Sequence, residues 1–168
     1  LEHRVAMARS RQEPSSISDL VRFASVLQAR NHFVEARDTF YLALQAIEND
    51  SDPRWKGVKA LTQNDLGLLF KEMGQPEEAC KILDLALLGH LSLFGADCTY
   101  TWTCKNNLAL ALQDSYLRQR MFRAPNRNLL LRSKALMEES LEGRMHGLGN
   151  DAMLTIQSKS NLGLLLIP

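Results

Sequence analysis

The chain has 168 residues, of which 45% are hydrophobic and 23% charged, with a formal net charge of +1. That length and apolar content suffice for a packed core and exclude a disordered, highly charged chain, while the small charge gives no general attraction for nucleic acid or lipid. The longest apolar run, Leu162 to Ile167, is far short of the ~20 residues a bilayer crossing needs, so no membrane partner is expected, and three scattered cysteines point to a reducing, intracellular, cytoplasmic setting rather than a disulfide framework.

Residues 1–16, with Pro14 and no sustained periodicity, read as a lead-in or the end of an upstream helix. A first helix pair is expected over 17–50. Leu20, Phe23, Ala24 and Leu27 recur at helical spacing, Asn31 tolerates a left-handed stop, and Ala36, Phe40, Ala43 and Ile47 line the second helix. Asn49-Asp50-Ser51-Asp52-Pro53 ends it. The second pair, 56–95, turns at Gly74-Gln75-Pro76, where proline suits a first helical turn and Glu77 and Glu78 complement the helix dipole. Gly67 and Ala79 allow close approach, and Leu66, Phe70, Leu83 and Ala86 fill the seam. The third pair, 99–148, has helices from about Thr99 to Leu117 and about Asn128 to His146. Between them lies an insertion at about 118–128 that Pro125 and Asn126 make partly loop, although its residues are equally able to extend the helices. The last segment, 151–168, is a first-type helix without a second. Because the chain begins on Leu and stops inside a pair, it reads as a fragment of a longer protein.

The text itself recurs. Leu66, Leu108 and Leu162 occupy equivalent places, 42 and then 54 residues apart, so the third unit is 12 residues longer than the second. Phe94-Gly95-Ala96-Asp97 with Thr101, Lys105 and Asn107-Leu108-Ala109 returns as Leu148-Gly149-Asn150-Asp151 with Thr155, Lys159 and Asn161-Leu162-Gly163. A fixed-offset repeat is the mark of a stacked architecture. The expected fold is all-α, an α-solenoid of antiparallel helix pairs.

The order Leu66, Gly67, Phe70, Gly74, Ala79, Leu83, Ala86 resembles the tetratricopeptide pattern. Phe23, Ala24, Leu27, Asn31, Ala36, Phe40, Ala43 and Leu108, Ala109, Leu112, Ser133, Met137, Ser140 follow it. The longer period and the Gly-x-Asp, Lys and Asn-Leu text resemble the kinesin-light-chain type of repeat, also common in the sensor arrays of NTPase-type innate-immunity receptors. Where that family has His-Pro after the Asp, this chain has Cys98-Thr99 and Ala152-Met153. The resemblance implies a superhelical protein-interaction scaffold whose first helices line a concave groove. It places Asn64, Asp65, Leu68 and Lys71, then Asn106, Asn107, Leu110 and Gln113, then Ser160, Asn161 and Leu164 toward a bound peptide or partner domain. An amide before the recurrent Leu can both donate to and accept from a peptide unit. The same asparagines can instead bond to neighbouring helices and hold the repeat angle, and both roles stay open at this stage.

A second candidate is the run Arg118, Arg120, Arg123, Arg127, Arg132 and Lys134, with no acidic residue from Ser115 to Met137. It would take an acidic partner or nucleic acid, although a short charge run is more commonly a solvated surface and nucleic acid is not the expected ligand. A third possibility is a regulatory, sensor or oligomerisation segment of a larger receptor-like NTPase. Self-association through the apolar C-terminal helix, around Leu162, Leu165 and Leu166, is a further expectation. No catalytic constellation, metal-ligand spacing or cofactor motif is present in the sequence, so no enzyme activity and no cofactor are expected.

Overall fold

The computed structural model describes residues 16–122 and 124–165. Seven helices are found among them: α1 (Ser16–Ala29), α2 (Phe33–Asn49), α3 (Trp55–Glu72), α4 (Pro76–Phe94), α5 (Thr99–Phe122), α6 (Arg127–Leu148) and α7 (Met153–Leu165). The described part of the lead-in expectation is only Ser16, which already begins α1. The described residues divide into two compact units, one ending at Trp55 and the other beginning at Lys56.

In the first unit α1 and α2 form a hairpin. Its turn depends on Asn31, which adopts φ 61°, a left-handed conformation that asparagine tolerates better than most residues. Ile17, Ala24, Ala36, Phe40, Ala43 and Ile47 are buried. Phe23, expected on the apolar face of α1, is instead exposed. The stripe is centred on Ala24, and one residue of helix turns Phe23 about 100° away from it. After α2, Asp50 accepts from Asp52 N and from Trp55 Nε1 at 2.8 Å, which folds the Asp-Pro stop back onto the helix end.

In the second unit Gly74 takes φ 68° and Pro76 starts α4, as the Gly-Gln-Pro turn requires. The two helices then run antiparallel in close contact. A Cβ on Gly67 would stand 2.5 Å from Leu83 Cγ, and one on Gly89 2.9 Å from Ala60 Cβ. Leu66, Leu69, Phe70, Ala79, Leu83 and Ala86 are buried along this seam.

The next hairpin, α5–α6, repeats the arrangement with Leu108, Ala109, Leu112 and Met137 in the apolar seam. Ser133 Oγ donates to Ala109 O and Ser140 Oγ to Trp102 O, both at 2.7 Å, so the small polar positions bind one helix to the backbone of the other. Trp102 is enclosed by two glycines of α6: a Cβ on Gly143 would lie 2.5 Å from Trp102 Cε2, and one on Gly147 2.8 Å from Cζ3. The longer third unit resolves as longer helices. Of the two outcomes left open for the insertion, residues 118–122 extend α5, the break falls at 124–126, and α6 starts at Arg127. Leu117 to Phe122 contain neither Gly nor Pro, so nothing stops the helix before Pro125. Asn126 caps α6 by accepting from Asn128 N, while its own N–H donates to Gln119 Oε1 at 3.1 Å.

Candidate functional site

The sequence directs attention to the first helix of each pair, and in the second unit α3, α5 and α7 are connected by amides. Asn107 Nδ2 donates to Asn64 Oδ1 at 3.0 Å, joining α5 to α3. Asn161 Nδ2 donates to Asn106 Oδ1 at 3.1 Å, joining α7 to α5. Asn64, Asn106 and Asn107 are buried and Asn161 half-buried. Each rung uses only part of its amides. Asn107 Oδ1 and Asn106 Nδ2 make no hydrogen bond among the described residues, and neither is sealed from solvent. Adjacent asparagines on α5 therefore reach in opposite directions, one to each neighbouring first helix. That is the inter-helix role the residue type permits.

Around the rungs stand half-buried Asp65, Leu68 and Lys71 on α3 and Leu110, Gln113 and Asp114 on α5. Lys71 Nζ lies 4.0 Å from Asp114 Oδ2, a second α3–α5 link two turns beyond the first. Burial raises the Asp65 carboxyl above its usual range, with the Asn64 amide working against the shift. Burial raises Asp114 as well, opposed by Lys71. On α7, Ser160 is exposed. Leu164 belongs to α7, but its side chain lies outside the described residues, as do the side chain of Leu165 and all of Leu166.

The basic run separates into engaged and free members. Arg118 Nη1 donates to Gly74 O at 2.6 Å and stands 3.6 Å from Glu77, Arg132 forks onto Asp84, and Lys134 lies 3.7 Å from Glu138. The Asp84 bonds raise the Arg132 pKa. Arg120 and Arg127 have no partner among the described residues, and Arg123 lies outside them. Two members of this run therefore tie the third hairpin to the second, and the run is not one continuous cationic patch.

Several buried polar groups were not legible as sites. Arg144 is 1% exposed; its guanidinium donates to Leu154 O at 3.0 Å, Ser158 Oγ at 2.7 Å and Thr103 Oγ1 at 3.1 Å, binding α6 to α7 and α5. No carboxylate pairs with it among the described residues, its Nε has no partner, and burial lowers its pKa. His90 is buried beside Phe94 and Tyr100, with ring centroids 5.8 and 6.3 Å away. Burial lowers its pKa and favours the neutral ring. Cys104 is buried: its thiol donates to Leu83 O at 3.6 Å and is pushed up to about 12, as is that of Cys80, so neither is a ready thiolate. No helix among the described residues is long and apolar enough to cross a membrane.

No family model and no curated protein matches the chain. Among solved structures it is similar to the crystal structure of BtubC (BKLC) from P. vanneervenii, with a TM-score of 0.72 and 22% identity over 98% of this chain and 62% of that one. This chain thus spans less than two thirds of that protein's length. At this identity the likeness speaks for the fold alone, an all-helical repeat.

Proposed function

We propose that the face built by α3, α5 and α7 binds an extended segment of a partner protein, which makes the chain a noncatalytic interaction scaffold of the cytoplasm. The observation that carries this reading is the pair of asparagine rungs. They hold three first helices side by side and still leave a free acceptor on Asn107 and a free donor on Asn106. An extended peptide presents the complementary groups along its backbone. Leu68 and Leu110 would supply apolar contact, Gln113 and Ser160 further hydrogen bonds, and Asp65 with Lys71 selectivity by charge. The nucleic-acid reading is weakened by the engagement of Arg118, Arg132 and Lys134 in internal ion pairs. The receptor-NTPase reading has no structural observation in its favour.

Peptides selected by display against the purified chain provide the test. Leu110→Arg is expected to lower their affinity tenfold or more, about 1.4 kcal/mol, with Gln113→Ala giving a smaller loss and an unchanged melting curve. Failure to select any peptide, or equal affinity for parent and both variants, would overturn the proposal.

A further inference from the structure

The helices α3, α5 and α7 share one frame, because the offsets that relate Leu66, Leu108 and Leu162 also relate Ala60, Trp102 and Ile156, and Gly67, Ala109 and Gly163. In the second pair these positions face α4. A Cβ on Gly89 would stand 2.9 Å from Ala60 Cβ, and one on Gly67 2.5 Å from Leu83 Cγ. In the third pair they face α6. Trp102 lies against Gly143 and Gly147, Ala109 O accepts from Ser133 Oγ, and between them Lys105 Nζ lies 2.8 Å from Glu139. Trp102, Lys105 and Ala109 are all buried. Their counterparts on α7 are open. Ile156 is 49% exposed, Lys159 and Gly163 are exposed, and a Cβ on Gly163 would meet nothing within 4 Å among the described residues. Lys159 reaches Asn150 at 3.3 and 3.4 Å and no carboxylate among the described residues. Another side of α7 is packed, with Thr155 and Ser158 buried against Arg144 of α6.

We propose that this open face of α7 docks an amphipathic helix of a partner protein, seated on it as α6 is seated on α5. The two second helices already in place state what such a helix needs. Glycine recurs against Ala60 and Trp102, as Gly89 and Gly143, so the incoming helix presents a glycine or another small residue to Ile156. Glu139 stands four residues before Gly143 and meets Lys105, so a carboxylate four residues before that small residue meets Lys159. Gly163 lets the two backbones approach closely, as Gly67 does on α3. Charge argues against a second copy of α7 as the occupant. Lys159 is the one charged residue from Met153 to Leu165, so two such helices would bring lysines together with no acid between them. The face excludes Ser160, Asn161 and Leu164, and the docking therefore does not depend on the peptide-binding reading.

Fluorescence anisotropy with a labelled peptide of the α6 sequence, residues 127–148, tests the proposal, because α6 already satisfies the frame. The parent chain is expected to bind it saturably. Gly163→Leu, which fills the close approach, and Lys159→Glu should each lower the affinity tenfold or more. Both side chains stand in solvent, so the melting temperature should not change. Glu139→Lys in the peptide should weaken binding to the parent and restore binding to the Lys159→Glu chain. No binding of the peptide to the parent, or equal affinity for the parent and both variants, would overturn the proposal. So would a concentration-dependent dimer of the parent in sedimentation that Gly163→Leu dissociates, which would assign the face to a second copy.

Discussion

Gly143→Ala is expected to destabilise the protein by about 3 kcal/mol or more, the upper end of what overpacking costs. In an exposed helix the same change gains up to ~1 kcal/mol, because alanine is the better helix former. Here the added methyl meets the indole of Trp102, with Cε2 at 2.5 Å and Nε1 closer still, and the six-membered end of the same ring lies against Gly147 one turn farther along α6. The indole is rigid and buried, so α6 must move off α5. Urea unfolding checks the sign: a midpoint above that of the parent would show that the slot has room. Trp102→Ala in the Gly143→Ala background should recover little, since it exchanges the clash for a cavity.

The second large effect belongs to Arg144. Arg144→Ala should cost about 3 kcal/mol, because it removes three hydrogen bonds that bind α6 to α5 and α7 and leaves a void in their place. Arg144→Met should be much milder. It keeps most of the volume and abolishes a buried charge that has no carboxylate partner and pays for its burial with a lowered pKa. Hydrogen exchange adds a location to the magnitude: protection should fall most in α7, whose attachment to the hairpin runs through Leu154 O and Ser158. Loss of equal size in Ala and Met variants would show that the charge itself stabilises the junction.

Local rules made most of the helix pairs legible in the sequence. The Gly74-Gln75-Pro76 turn and the Asn31 stop are decided by φ and by the missing proline N–H, which any reader of the chain can apply. Seam positions such as Leu66, Leu83, Leu108 and Met137 follow from the 3.6-residue period. The Trp102 slot does not, because it depends on the register between two helices 41 residues apart, which no local pattern encodes. The extension of α5 through Phe122 was open for a related reason: the basic run looks like loop, yet its residues are good helix formers. At the candidate site the asparagines were recognisable by type. Their pairing was not, because an amide that can meet a peptide can equally meet another amide, and only the spacing of α3, α5 and α7 decides between them.

Hydrogen exchange of the chain with and without a display-selected peptide tests the central reading most directly. Binding along the row of first helices predicts added protection in α3, α5 and α7, around Leu68, Leu110 and Ser160, with α4 and α6 unchanged. Protection confined to α4 and α6, or to the α5–α6 tip, would contradict it.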